Sequence, residues 1–214
     1  MNRQTEPEIL DHLAADDPEA VRSRRDLRLI NFLMGNERWI LRQTRKLGSA
    51  IEQGGIAELG AGEGILVSRL QRQHPGATTD AYDLAPCPRG VDRRVRWHQG
   101  DALVAVPADP QGLLVANLFL HHFEGPALDR LASWCERFQA LCFVEPLRSR
   151  LALAQGALLH PLVNRVTRHD MPVSIRAGFI PGELPALLKL DPKRWNILER
   201  STWRGAIRVL AWRT

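Results

Sequence analysis

The chain has 214 residues, enough for one sizeable hydrophobic core and short for two full domains. Its apolar fraction of 44% is that of an ordinary globular protein, and no apolar run reaches the roughly 18 residues that span a bilayer, so a membrane span is excluded. The net charge of +5 comes from arginines that are scattered, apart from Arg22-Ser23-Arg24-Arg25 and the run Arg89 to Arg96, which argues for a generally basic surface and against a nucleic-acid footprint. Cys87, Cys135 and Cys142 are an odd number without metal-ligand spacing, so neither a disulfide framework nor a zinc site is expected. Met1 to Glu6 lacks the apolar stretch of a secretory signal, and a reducing cytoplasm is the expected location.

In chain order, the first eighteen residues are polar and acidic, with Asp16-Asp17-Pro18 as a helix start signal. Val21, Leu27, Ile30, Leu33 and Met34 then recur at helical spacing until Gly35-Asn36 interrupts them. A second helix is predicted over about 37–53, ended by Gly54-Gly55. These segments read as a helical cap over residues 1–53, ahead of a strand-and-helix unit over 54–214. A buried strand, Ile56-Ala57-Glu58-Leu59, leads through Gly60-Ala61-Gly62-Glu63-Gly64 into a helix over about 63–73. Strands follow at 78–83, from Val95 to the Gly100-Asp101-Ala102 turn, at 112–117 and at 141–145, with helices at about 125–138 and 149–159. Segments 194–200 and 206–213 alternate apolar and polar residues around Gly205 and read as an antiparallel hairpin. This alternation of strand and helix requires a doubly wound, mostly parallel sheet.

The glycine turn carries the most chemistry. A dinucleotide-binding turn spaces its glycines G-x-G-x-x-G and sets a pyrophosphate on a helix N-terminus. Here the spacing is G-x-G-x-G, and Glu58 stands two residues before Gly60. A carboxylate there repels a pyrophosphate and suits an ammonium group. Asp83, at the end of the second strand, Asp101, in Gly-Asp-Ala, and Asn117, at the end of the fourth, each have a plainer reading as polar strand-end residues.

Taken together, Glu58-Leu59-Gly60-Ala61-Gly62-Glu63-Gly64, Asp83, Gly100-Asp101-Ala102 and the strand ending Asn117-Leu118-Phe119-Leu120-His121-His122-Phe123 resemble the class I S-adenosylmethionine-dependent methyltransferases. The resemblance implies a Rossmann-like α/β sheet of strand order 3-2-1-4-5-7-6, with a substrate lid at about 148–190 between the fifth and sixth strands. It implies S-adenosylmethionine as cofactor, held by Glu58, Gly60, Ala61, Gly62, Gly64, Asp83, Leu84, Asp101, Ala102 and Asn117. Asp83 would accept hydrogen bonds from the ribose hydroxyls and Asp101 from the adenine amino group. The stretches Leu27 to Asn31, Glu145 to Ser149 and Thr167 to Phe179 resemble a bacterial ubiquinone/menaquinone-methyltransferase-like group, which implies a small aromatic or polyketide-derived acceptor.

Methyl transfer from a sulfonium is an in-line displacement with a neutral leaving group, and a hydroxyl nucleophile must also lose its proton. Imidazole suits that task, so His121, His122 and His169 are the catalytic candidates, with His121 favoured by the resemblance; packing against Phe123 is the plainer reading of the first two. In the lid, Arg148, Asp170, Ser174 and Arg176 are the candidate substrate contacts. If the segment is extended, Ser174 and Arg176 share a face while His169 and Asp170 point apart, which argues against a direct His169–Asp170 pair. Arg148 and Asp170 read equally as structural braces. No metal is expected, because no acidic cluster is placed to chelate one. The expected activity is O-methylation of a phenolic or polyketide-derived small molecule. C-methylation of a similar ring, methylation of RNA or protein, and a non-catalytic cofactor-binding subunit are the alternatives. The fourth strand lacks the Asn/Asp-Pro-Pro-Tyr element of enzymes that methylate exocyclic base amines, which counts against nucleic acid. The sequence assigns no oligomeric state.

Overall fold

The computed structural model of the protein describes residues 1–104 and 111–214, without the side chains of residues 49, 50 and 111. Three helices lead in: α1 (Pro18–Met34), α2 (Asn36–Thr44) and α3 (Gly48–Gly54). Asp17 caps α1 by accepting from the Glu19 and Ala20 amides, with Pro18 at the first helical position, and Gly35 ends it in the left-handed region at φ 70°. The predicted second helix is broken in two by a 3-10 turn, Arg45–Leu47. The periodic pattern continues across that turn, so spacing alone did not reveal the break.

Strands and helices then alternate: β1 (Ile56–Leu59), α4 (Ile65–Gln73), β2 (Thr79–Asp83), β3 (Val95–Gln99), β4 (Gln111–Asn117), α5 (Pro126–Cys135) and β5 (Phe138–Pro146). After these come α6 (Arg150–Leu159), α7 (Arg165–Ala177), α8 (Glu183–Leu187) and the hairpin β6 (Trp195–Ser201) and β7 (Ala206–Arg213). The seven strands form one sheet in the order β3-β2-β1-β4-β5-β7-β6. All neighbours are parallel except β7, which runs antiparallel between β5 and β6.

Alternation along the central strands sends residues to two cores. Ile56, Leu113, Val115, Cys142 and Val144 pack with Ile40, Leu66 and Leu70 on one face; Ala57, Leu59, Leu114, Ala116 and Phe143 pack with Leu128, Trp134 and Leu184 on the other. The strand order reverses between β1 and β4, and a sheet of this kind opens a crevice beyond the carboxyl ends of the strands at such a point. Among the described residues no helix is long and apolar enough to cross a membrane.

The lid region differs from an extended segment. It is helical, and α7 carries His169 to Arg176. Residues two apart on a helix point to nearly opposite sides, so Ser174 and Arg176 do not share a face. His169 and Asp170 do meet, Nδ1 to Oδ1 at 2.8 Å, because helical neighbours are not held on opposite faces as strand neighbours are.

Candidate active site

A cleft of about 1820 Å³ opens at the reversal point. Its floor includes Glu58, Gly60, Ala61, Gly62, Asn117, His121 and His122, and its walls include Ile30 and Phe32 of α1, Met171, Ser174 and Ile175 of α7, and Trp203 of the hairpin turn. Arg28 of α1 bonds both carboxylate oxygens of Glu63 at 2.6 Å, tying the first helix to the rim of the glycine turn.

The turn needs its glycines for different reasons. Gly60 stands at φ 65°, and a Cβ there would lie 2.1 Å from the Phe119 ring, so this glycine admits a neighbouring side chain. Gly62, at φ 53°, has nothing within 4 Å of its missing Cβ; its backbone is bare toward the space beside the turn. The turn is held by Asp83, whose Oδ2 accepts from the Gly62 amide at 2.7 Å and whose Oδ1 accepts from Ala85 at 2.8 Å. Asp83 O accepts from Gly100 N at 2.8 Å, which brings the Gly-Asp-Ala turn alongside. Asp101 is exposed and caps Leu103 N at 2.8 Å, Ala102 is buried, and Leu84 is 74% exposed next to Asp83.

Two acceptors on the cleft floor are buried without hydrogen-bond partners: Glu58 Oε2 and Asn117 Oδ1. Burial, reinforced by the charges of Glu37 and Asp83, raises the Glu58 carboxyl well above its ordinary range. Just beyond Asn117, Leu118 adopts φ 57°, a left-handed conformation rare outside glycine that turns the chain sharply at the strand end.

The turn that follows, Leu120–His122, is a 3-10 turn. Glu145, fully buried at the end of β5, organises it. Its Oε1 accepts from the amides of Phe119 (3.0 Å) and Leu120 (2.8 Å), and its Oε2 from the His121 amide (3.3 Å) and His121 Nδ1 (2.8 Å). Glu145→Ala leaves those buried donors without an acceptor, each costing about 1–3 kcal/mol, so a loss of about 3 kcal/mol or more is expected in urea denaturation. A loss below about 1 kcal/mol would mean that Glu145 does not hold the turn.

The other nitrogen of His121 faces an acid that no motif pointed to. The N-terminal segment runs across the site: Arg3 donates to the carbonyls of Ala177, His121 and Phe123, and the Ile9 and Leu10 amides donate to Asp170 at 2.9 and 3.0 Å. This places Glu8 3.5 Å from His121 Nε2, with Ser174 Oγ donating to the same carboxylate, and Asp11 3.5 Å from His122 Nδ1. Burial disfavours the charge on His121, but its hydrogen bonds to Glu145 and Glu8 outweigh this and raise its pKa to about 9. Burial and the neighbouring charge of His121 lower that of His122. Burial likewise opposes charge on Glu8, yet the hydrogen bond and charge of His121 bring its pKa below the usual range.

The remaining candidates lie apart from this cluster. Arg148 is buried, paired with Glu183 at 2.8 Å and bonded to Gly178 O, and it does not line the cleft. Asp170 serves the N-terminal segment and His169, Arg176 meets that segment through its carbonyl (Gln4 N, 3.2 Å), and His169 lies with half its side chain exposed. Of the lid candidates, Ser174 is the one on the cleft wall.

No protein-family model and no curated protein matches the chain. Solved structures do. The plantazolicin methyltransferase BpumL, in complex with a monoazolic desmethylPZN analog and SAH, superposes with a TM-score of 0.71 at 11% identity over 92% of this chain and 91% of that one. The fold is that of the class I methyltransferases. An O-methyltransferase family protein from Burkholderia thailandensis aligns with a TM-score of 0.53 at 18% identity, covering 94% of this chain and 64% of that one. The methyltransferase domain of bacterial CtHen1-CN aligns at 0.55 and 12%, covering 85% and 100%. In the methyltransferase fold of this chain, the sheet places the glycine turn and the two histidines on one floor although some sixty residues separate them.

Proposed function

We propose that the protein is an S-adenosylmethionine-dependent methyltransferase acting on the oxygen of a small aromatic or polyketide-derived molecule. The observation that carries the cofactor is the buried Glu58 carboxylate, whose Oε2 has no hydrogen-bond partner, beside an open glycine turn. Such an orphaned acceptor suits an ammonium group and not a pyrophosphate. Glu58 and Asn117 would hold the amino acid end, Gly60, Ala61 and Gly62 would line its path, and Asp83 with Leu84, and Asp101 with Ala102, would flank ribose and adenine. When bound, S-adenosylmethionine supplies a methyl group on a sulfonium. The chain's own part is to orient the acceptor between α1, α7 and the hairpin turn, to exclude water, and to move one proton. His121, charged near neutral pH and held in place by Glu145, would stabilise the negative charge on the acceptor oxygen, and the Glu8 carboxylate beside it would take the proton that this oxygen loses.

Oxygen as the nucleophile is supported by this imidazole and carboxylate pair at the floor; the apolar walls, including Phe32, Leu158 and Trp203, suit a largely apolar acceptor. The ion pairing of Arg94 with Asp92 and of Arg96 with Asp80 occupies part of the basic run and argues against a nucleic-acid acceptor. Free Cys87, Cys135 and Cys142 support a reducing compartment.

The test follows from the raised pKa of Glu58. An ammonium beside it favours the carboxylate, so binding expels a proton, and affinity rises with pH through the raised pKa and levels off above it. Calorimetry in two buffers of different ionisation enthalpy should show that proton release, and Glu58→Gln should abolish it. Proton release unchanged in Glu58→Gln, or no binding of S-adenosylmethionine by the unaltered chain, would sink this reading.

A further inference from the structure

Glu8, His121 and His122 bring one ligand atom each to within 4.8 Å of one another at the floor of the cleft. Glu8 lies far in sequence from the adjacent His121 and His122, so their spacing carries no metal motif. His121 is set up as metal-bound histidines are. Its Nδ1 is held at 2.8 Å by Glu145 Oε2, Glu145 is itself fixed by backbone amides, and Nε2 is thereby aimed at Glu8. That carboxylate partner fixes the ring orientation and raises the basicity of the ligating nitrogen. The His122 ring lies 4.3 Å from that of His121, centroid to centroid, and Asp11 adds a second carboxylate 3.5 Å from His122 Nδ1.

We infer that Glu8, His121 and His122 form a binding site for a divalent first-row transition-metal ion of the Zn²⁺ class, with Asp11 within reach as a further oxygen donor. Two imidazoles and a carboxylate are the donor set such ions prefer, whereas Mg²⁺ takes oxygen ligands and keeps its water. Ligand atoms about 2.1 Å from a tetrahedral ion stand about 3.4 Å apart, so the widest separation must close by at most about 1.4 Å. Glu8 rides on the N-terminal segment, outside any helix or strand, and can supply that movement. The ion replaces the proton between His121 Nε2 and Glu8. All four residues line the cleft, so an open coordination position faces the acceptor, and a hydroxyl bound there ionises more readily. That last role rests on the methyl-transfer reading; binding of the ion does not. The site departs from the expectation of no metal.

The test uses the full chain, stripped with a chelator and titrated calorimetrically with Zn²⁺, then with Mg²⁺. One Zn²⁺ per chain should bind and Mg²⁺ should not. Replacing an outer partner alone typically costs about 10–100-fold in metal affinity, so Glu8→Gln and His122→Ala should each weaken binding by at least about tenfold. Co²⁺ in place of Zn²⁺ should give visible absorption bands that both variants lose. His160→Ala, outside the cluster, should bind as the parent does. Both site variants leave the buried His121 in place, and their thermal melts verify that they fold. Absence of stoichiometric Zn²⁺ binding, or binding that survives both variants, would overturn the site. S-adenosylmethionine affinity measured on the same samples separates the two claims: metal failure with cofactor binding intact leaves the methyl-transfer reading standing, and the reverse leaves the metal site.

Discussion

His121→Ala should lower kcat for methyl transfer by about 10²–10⁴, the usual range for losing a group that manages the reacting proton, while the affinity for S-adenosylmethionine changes little. The geometry sharpens this expectation. His121 is held from both sides, at Nδ1 by Glu145 and at Nε2 by Glu8, so its loss removes the link between the cleft and the buried carboxylate. His122→Ala should do less to kcat, because its 3.5 Å contact is to the half-exposed Asp11, whereas His121 meets the buried Glu8 and Glu145. His169→Ala should leave kcat nearly intact, since that ring lies outside the cleft lining. Rates of single turnover with saturating cofactor would separate the chemical step from binding. Full activity in the His121→Ala, His122→Ala double variant would discard both residues and return His169 to consideration.

Asp83→Ala should weaken S-adenosylmethionine binding by roughly ten- to a hundredfold, the cost of about 1.5–3 kcal/mol for hydrogen bonds to a charged acceptor. Two effects combine. The variant removes an acceptor at the end of β2, and it also frees the Gly62 amide that Asp83 holds at 2.7 Å, loosening the turn itself. Asp83→Asn keeps an oxygen for that amide and should recover part of the loss. Gly62→Val acts differently: nothing stands within 4 Å of its Cβ position, so the side chain would fill space beside the turn without displacing the protein, though φ 53° adds backbone strain. Gly60→Val meets the Phe119 ring and should cost stability as well as affinity. Equal melting temperatures for Gly60→Val and Gly62→Val would contradict that distinction, and unchanged cofactor affinity in Asp83→Ala would refute the assignment of Asp83.

The sheet was legible because its signals are local. Alternating strand and helix patterns, the glycine turn after Glu58 and the hairpin around Gly205 each occupy one short stretch, and the right-handed crossover rule leaves few ways to assemble them. The turn's need for φ > 0 is written in glycine itself, whose missing Cβ removes the steric barrier to that region. The lid was harder to read. Its polar and ionisable density looks extended, while a hydrophobic face made by Val166, Val173 and Ala177 buries α7 in the structure. Pro172 inside that helix worked against recognising it, since proline usually ends one.

By itself, then, the amino-acid order determined the strand succession, the glycine turn with Glu58 and the position of the two adjacent histidines at a strand end. The tertiary structure decided what those histidines touch. Glu8, Asp11 and Glu145 reach them through a terminal segment and a neighbouring strand, and hydrogen-bond partners that distant in sequence leave no periodicity or spacing behind. It likewise decided that Arg148 meets Glu183 and that Asp170 receives the Ile9 and Leu10 amides. A charged side chain's role is set by whichever opposite charge or bare amide the fold brings within about 3 Å, and that distance exists only once the chain has closed on itself.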